Sequence, residues 1–486
     1  MDHPQAMADS VPPNKHPTGL YILFTTEMWE RFAYYGMRAL LVYYMIKCIF
    51  LPENASHVMG YELIKRSLEW VFGPLSTQAL SSQIYGLYTG FVYLAPIFGG
   101  TIADRWLGQR KAVVVGGVIM AIAEFMLMKQ SLFFPALLMM IVGNGFFKPN
   151  ISTQVGNLYA PGDHRRDRAF SVFYVGINVG ATLSPFIAGT LGENVTPYGR
   201  WGFFSAGVGM ILGLIIYLWG QRHLAPDNVM KRASATDAKP VAPLSPDDWK
   251  KIWALIVLCL LNIPFWTVYE QQGNTIALWV DGNCNRHIFS WLQGYGFLPA
   301  AVLNWEMPAT WYQSFNAIMI VAFTPVILAF WRWQEKRKTE PSSLAKMAIG
   351  CILLGISFLV LLPQAHMIDA AEKAAIIPQK ASLLPITLCT VIFTLGELYL
   401  SPVGLSLVTK LAPPRLVSMM MGMWFMSSFF GDYLCGYIGA YWEKMSHANF
   451  FLLLMTLACT SGLCMFALLK PLKRAIGHGH AETVDV

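Results

Sequence analysis

At 486 residues, with 55% hydrophobic and only 13% charged side chains and a mean hydropathy of +0.45, the chain is too apolar for a soluble enzyme of its size. Its net charge of +7 matters by location more than by sum and does not indicate a nucleic-acid partner. Of eight cysteines only Cys284 falls clearly in a loop, and no CxxC pair occurs, so neither a disulfide framework nor a zinc site is expected.

The chain opens on a polar stretch, MDHPQAMADSVPPNKHP, without the apolar core of a cleaved leader. Residues 1–18 are expected to form a cytoplasmic tail, and the first span to act as signal and anchor. Six spans are expected in the first half: Gly19–Ile49, Gln78–Ala103, Ala112–Met128, Leu132–Tyr159, Ala169–Gly189 and Trp201–Gly220. Six more follow: Ile252–Val280, Trp311–Trp333, Leu344–Leu362, Leu383–Thr409, Leu416–Tyr441 and Phe450–Leu469. The fold class is thus all-α and polytopic, with bundles at 19–220 and 252–469, a linker at 221–251 and a tail at 470–486. With both termini cytoplasmic, 23 of the 35 lysines and arginines lie inside and eight outside, which sets the orientation. The linker is rich in proline and lysine and reads as a mobile tether. In the outer segment 51–77, MGYELIKRSLEWVF has helical spacing; its apolar face either lies along the membrane surface or packs on the bundle.

The first span carries Glu27, Glu30, Arg31 and Arg38, where each ionised group costs about 2.5–3.5 kcal/mol at mid-membrane. Glu27, Glu30 and Arg31 share one side of a helix, which Tyr34, Tyr35 and Arg38 extend at helical spacing. That face must meet protein or water. A plain structural pair of Glu27 with Arg31 would use one acid and one base, fewer than are present. In the fourth span, GNGFFKPNISTQVGN holds Lys148 deep among uncharged residues, too deep for snorkelling, so a carboxylate from another span is its expected partner. Glu27 and Glu30 are the candidates. Tyr93 in the second span and Asn178 in the fifth add polar groups that ordinary interhelical hydrogen bonding would also explain.

The run TEMWERFAYYG resembles the ExxERFxYYG signature of the proton-dependent oligopeptide transporters, within the major facilitator superfamily. FFKPN and TLGELYLSPVGLS are similar to two further signatures of that family. The resemblance implies the major facilitator fold, with a midplane site where two six-helix halves meet. It also implies import of di- and tripeptides with protons by alternating access. For proton coupling it points to Glu27, Glu30, Arg31, Lys148 and Glu270. For the ligand it points to Tyr34, Tyr35, Arg38, Tyr93, Lys148, Asn178, Asn316, Glu397, Ser401 and Trp424. Glu270, in FWTVYEQQGN, is expected to pair with Arg38 as an outer gate. GGTIADRWLGQRK resembles the inner loop of major facilitators, where Asp104 and Arg105 would join an ionic latch. WRWQEKRKTEPSSLAK is only a weak counterpart in the other half. Two positions depart from the family: Gly86 stands where animal members carry a histidine, and Ala317 follows Asn316 where relatives more often have proline.

Cations at Arg38 and Lys148 in one half and the anion Glu397 in the other suit a zwitterionic ligand. Tyr34, Tyr35 and Trp424 add aromatic surface that tolerates varied side chains. The expected activity is therefore peptide symport, driven by a proton gradient without cofactor or metal. The expected setting is a bacterial inner membrane, and the expected working unit a monomer. Related solutes such as nitrate, amino acids or peptide-like drugs are the nearest rivals, and a non-transporting receptor the next. An enzyme is disfavoured because no HExxH, GxSxG or Walker loop occurs.

Overall fold

In lipid, backbone N–H and C=O groups must be bonded within their own segment, and every long apolar run here is helical. The computed structural model describes residues 16–160, 163, 165–226, 244–290, 292, 299–413 and 416–476. Among them the first six long helices are α1 (Thr18–Tyr44), α2 (Thr77–Ile102), α3 (Gln109–Leu127), α4 (Phe133–Asn157), α5 (Arg165–Ser184) and α6 (Arg200–Gly220). The next six are α7 (Pro246–Tyr269), α8 (Gln313–Lys336), α9 (Ser343–Ser357), α10 (Leu383–Leu411), α11 (Val417–Gly439) and α12 (His447–Ala467). An isolated parallel bridge joins Cys284 to Ala381.

Nine helical segments of the described residues are long and apolar enough to cross a bilayer. Helices α1, α3 and α11 occupy the other three expected positions. Glu27, Glu30 and Arg31 dilute the first, Arg110, Lys111 and Glu124 the second, and Ser427, Ser428 and Asp432 the third.

The chain divides into two compact units. One comprises Met1–Thr77, Phe91–Lys239 and Thr310–Ala317; the other comprises Gln78–Gly90, Pro240–Ala309 and Ile318–Val486. Their sequence boundary at 239/240 falls in the expected linker, of which 227–243 lies outside the described residues, as do 1–15 of the N-terminal tail and 477–486 of the C-terminal tail. In the first unit α3 packs along α4, and α1 lies against α5 and α6. In the second, α9 packs on α10 and α12, and α7 on α11.

Three local features differ from the sequence reading. Helix α7 begins at Pro246, earlier than Ile252, because Ser245 and Asp248 form a capping box and Pro246 suits the first helical turn. It also does not run through to Val280. It ends at Tyr269, passes into a tight turn of helix at Glu270–Gly273, and resumes as Thr275–Asn283. Cys284, expected in an open loop, is 0% exposed, because its bridge to Ala381 ties the segment down; burial pushes its thiol up to about 12.

The segment 51–77 forms a helix at Tyr61–Phe72. Tyr61 is buried with its ring against Phe50, and Ile64 and Leu68 are half-buried, whereas Leu63 and Trp70 are exposed.

Candidate functional site

In the first unit the site is built on one face of α1. Glu27, Glu30 and Arg31 are all buried there. Arg31 donates through its terminal NH2 to Glu30 Oε1 at 2.7 Å and through Nε to Glu30 Oε2. This two-pronged fit matches the planar guanidinium to one carboxylate. The same Nε lies 3.2 Å from Glu27 Oε1, one helical turn away. Arg31 is therefore shared by two acids and tied more closely to Glu30. Asn144 of α4 donates to Glu30 Oε1 at 3.5 Å, while Glu27 Oε2 has no hydrogen-bond donor among the described residues.

Lys148 of α4 stands over the Tyr93 ring, with Nζ 4.5 Å from its centroid, and its charge acts on Glu27. Of the two expected carboxylate partners, Glu30 is the one held by two bonds from Arg31. The aromatic residues continue the ladder. Arg31 lies over Tyr34 at 5.2 Å, Tyr34 meets Tyr35 edge-on at 5.3 Å, and Arg38 lies over Tyr35 at 6.0 Å. From Glu27 to Arg38 the face forms one chain of charges and rings, as the i, i+3, i+4 spacing requires.

Asn178 is buried in α5, where its Nδ2 donates to Tyr174 O of its own helix at 2.9 Å. Asn316 is buried near the start of α8, which runs unbroken past Ala317 and holds its proline at Pro325.

In the second unit a polar belt surrounds the break after α7. Glu270 is buried there and accepts from Tyr85 Oη at 3.4 Å. Gln271 Nε2 donates to Cys435 O at 3.0 Å, and Thr275 Oγ1 donates to Gln271 Oε1 at 2.7 Å. Ser82 donates to Asn274 Oδ1 at 2.8 Å, and Gln78 Nε2 donates to Ser82 Oγ and to Gly439 O. These bonds pair the buried side-chain amides and hydroxyls around the break with one another and with carbonyls of α11. Gly86 belongs to the same belt. A Cβ there would sit 2.6 Å from backbone atoms of Asp432 and Gly436, so no side chain, histidine included, fits this α2–α11 approach.

Glu397 is buried in α10, with Ser401 half-buried one turn on. Gly404 lies one further turn along that face, and a Cβ on it would fall 2.1 Å from the Trp424 ring. The indole is thus laid against the helix face that carries Glu397 and Ser401.

The loops at 99–111 and 331–346 behave differently. Asp104 and the exposed Arg105 sit in the widened turn Ala103–Leu107 and form no ion pair or hydrogen bond through their side chains among the described residues. Arg110 instead donates to the carbonyls of Leu224 and, at 2.9 Å, Ala225. In WRWQEKRKTEPSSLAK, Lys346 pairs with Glu340 and lies 4.1 Å from the Trp331 ring centroid.

The sequence reading missed two acids buried inside the spans. Glu124 of α3 and Asp432 of α11 are both 0% exposed. The rule that singled out Glu27, an acid inside an apolar run, applies to both. Neither sits in a recognisable motif.

A family model described as POT family matches residues 110–242 and 233–452. The di-/tripeptide transporter of Lactococcus lactis subsp. cremoris is 30% identical, over 95% of this chain and 97% of its own. A crystal structure titled as peptide transporter POT in complex with sulfate superposes with a TM-score of 0.79 at 28% identity, covering 98% of this chain and 99% of that one. A mutant of a peptide transporter POT, solved in complex with alafosfalin, gives 0.78 at 28% identity, over 98% and 99%.

Proposed function

The chain belongs to the POT family, and from that premise we propose that it is a secondary transporter that imports di- and tripeptides together with protons. The single observation that carries the proton part of this reading is the buried cluster of Glu27, Glu30 and Arg31 with Lys148 acting on it. Two acids share one guanidinium and one ammonium, so a proton arriving on either carboxyl redistributes the pairing. Protonation of Glu27 weakens its hold on Lys148 and frees that ammonium for a ligand carboxylate. Arg38 and Lys148 are the groups proposed for the peptide carboxylate, Glu397 for its ammonium, and Tyr34, Tyr35 and Trp424 for its side chains. Glu270, at the break after α7, is proposed as the second proton-responsive group and as the gating partner of Arg38. Asp104 and Arg105 are proposed to engage only in another conformation of the cycle.

Alafosfalin, named with one similar structure, supports a ligand class of peptides and peptide-like compounds. The proton gradient supplies the driving force without a cofactor. The chain acts as a monomer in a bacterial inner membrane with both termini in the cytoplasm. Purified protein in liposomes tests this: labelled dipeptide should accumulate when the gradient is directed inward and only equilibrate without it. Accumulation that ignores the gradient would overturn proton coupling, and no dipeptide entry at all would overturn the substrate class.

A further inference from the structure

Glu124 plays no part in the mechanism above, yet it is an acid sealed inside the first unit. It is 0% exposed, and neither carboxylate oxygen has a hydrogen-bond partner among the described residues. A carboxylate sealed from water with no donor is costlier than any single hydrogen bond can offset, so such a group takes up a proton instead. No described residue offers either oxygen an ion pair or hydrogen bond. Helix α4 brings Lys148, α6 brings Arg200 and Tyr217, the turn after α2 brings Asp104 and Arg105, and α1 brings Glu27, Glu30 and Arg31. Among these, the one group whose charge acts on Glu124 is Glu30, another acid. Asn144, buried and bonded to Glu30 through its nitrogen, keeps an amide oxygen that also has no partner.

We propose that Glu124 is a second proton-binding site of this bundle, holding a proton that it exchanges with Glu30. In the described arrangement Glu30 is ionised, because it accepts both hydrogen bonds of Arg31, and Glu124 carries the proton. Exchange breaks the O–H bond of Glu124 and forms one on a Glu30 oxygen. The negative charge passes from Glu30 to Glu124, and no further reactant is consumed. Arg31 then loses its closest acceptor and turns to Glu27, 3.2 Å away, in competition with Lys148. The proposal rests on the proton-coupled reading of this bundle and gives it a reservoir next to the Arg31 cluster.

Infrared difference spectroscopy of the protein in lipid, stepped through pH, reads the proton directly. Wild type should show a protonated-carboxyl band at neutral pH. E124Q should lose that band, and E124D should keep one at a shifted frequency. Should E124Q fail to fold, judged by its elution and thermal denaturation, E124D and wild type decide. A wild type without the band, or an E124Q that retains it unchanged, overturns the proposal. Dipeptide uptake on the same preparations separates the two readings. Uptake with an unchanged E124Q band removes Glu124 alone, whereas a wild type with the band and no uptake removes the transport reading and keeps the site.

Discussion

Glu397 is the residue on which ligand polarity turns. It is a buried acid whose helix face continues through Ser401 to the Trp424 ring, an apolar wall beside one charge. Removing one partner of a buried charge pair costs about 2–5 kcal/mol. Glu397→Gln should therefore weaken dipeptide binding by that order in a titration with free dipeptide, and N-acetylated dipeptides should already bind poorly to wild type. Equal affinity for free and acetylated dipeptides would take Glu397 out of ammonium recognition. At this scale the sequence was legible where charges stood in a run with helical spacing, as on α1. It was less so for Glu124 and Asp432, single acids whose burial shows only once the neighbouring helices close around them. The glycine at 86 looked like a lost proton site; the structure gives it a steric reason, since backbone atoms of α11 fill the space of its Cβ.

Among elements, the break after α7 and the start of α12 show what spacing alone did not. A continuous apolar run up to Val280 implied one helix, but Gln271, Asn274 and Thr275 bond side chains around Glu270–Gly273 in place of an uninterrupted ladder. Gln-Gln-Gly-Asn was the available signal, because polar amides beside glycine compete with helix bonding. The N-terminus of α12 is held from outside its own helix. Asp369 accepts from the backbone N–H groups of His447 and Ala448 at 2.9 and 3.0 Å, and lies 2.9 Å from the His447 ring. Burial would raise this carboxyl, but those backbone and ring contacts outweigh it and hold it below the usual aspartate range. A value lowered on folding gives stability that is complete above the ordinary aspartate range and lost as pH falls through the lowered value. Asp369→Ala should cost about 1–3 kcal/mol by leaving buried donors unmet. Thermal denaturation should show that loss at neutral pH and a smaller one in strong acid. An equal shift at both pH values would contradict the assignment.

For the whole molecule, orientation follows from the distribution of lysine and arginine, and it needs a probe other than Cys284, which is 0% exposed. Ile377, in the segment between α9 and α10, is 93% exposed and suits the purpose. In right-side-out vesicles an impermeant thiol reagent should label Ile377→Cys, while wild-type Cys284 stays unlabelled from either side. Labelling of Ile377→Cys only in inverted vesicles would reverse the topology. The helical order was legible from runs of apolar residues, since each span must satisfy its own backbone. Which segments the units exchange, Gln78–Gly90 and Thr310–Ala317, was not, because that depends on packing between helices far apart in sequence.

Coupling through the α1 cluster is the claim on which the transport reading stands, and Glu30→Gln tests it most directly. Glutamine keeps the size of the side chain and mimics its protonated form, so Arg31 loses the charge it holds most closely. Proteoliposomes carrying this variant should still exchange labelled for unlabelled dipeptide without a gradient, yet fail to accumulate dipeptide when the proton gradient is directed inward. Lys148→Ala should lose both activities, because it also removes the ammonium offered to the ligand carboxylate. Accumulation by Glu30→Gln at the wild-type level would show that coupling does not run through Glu30.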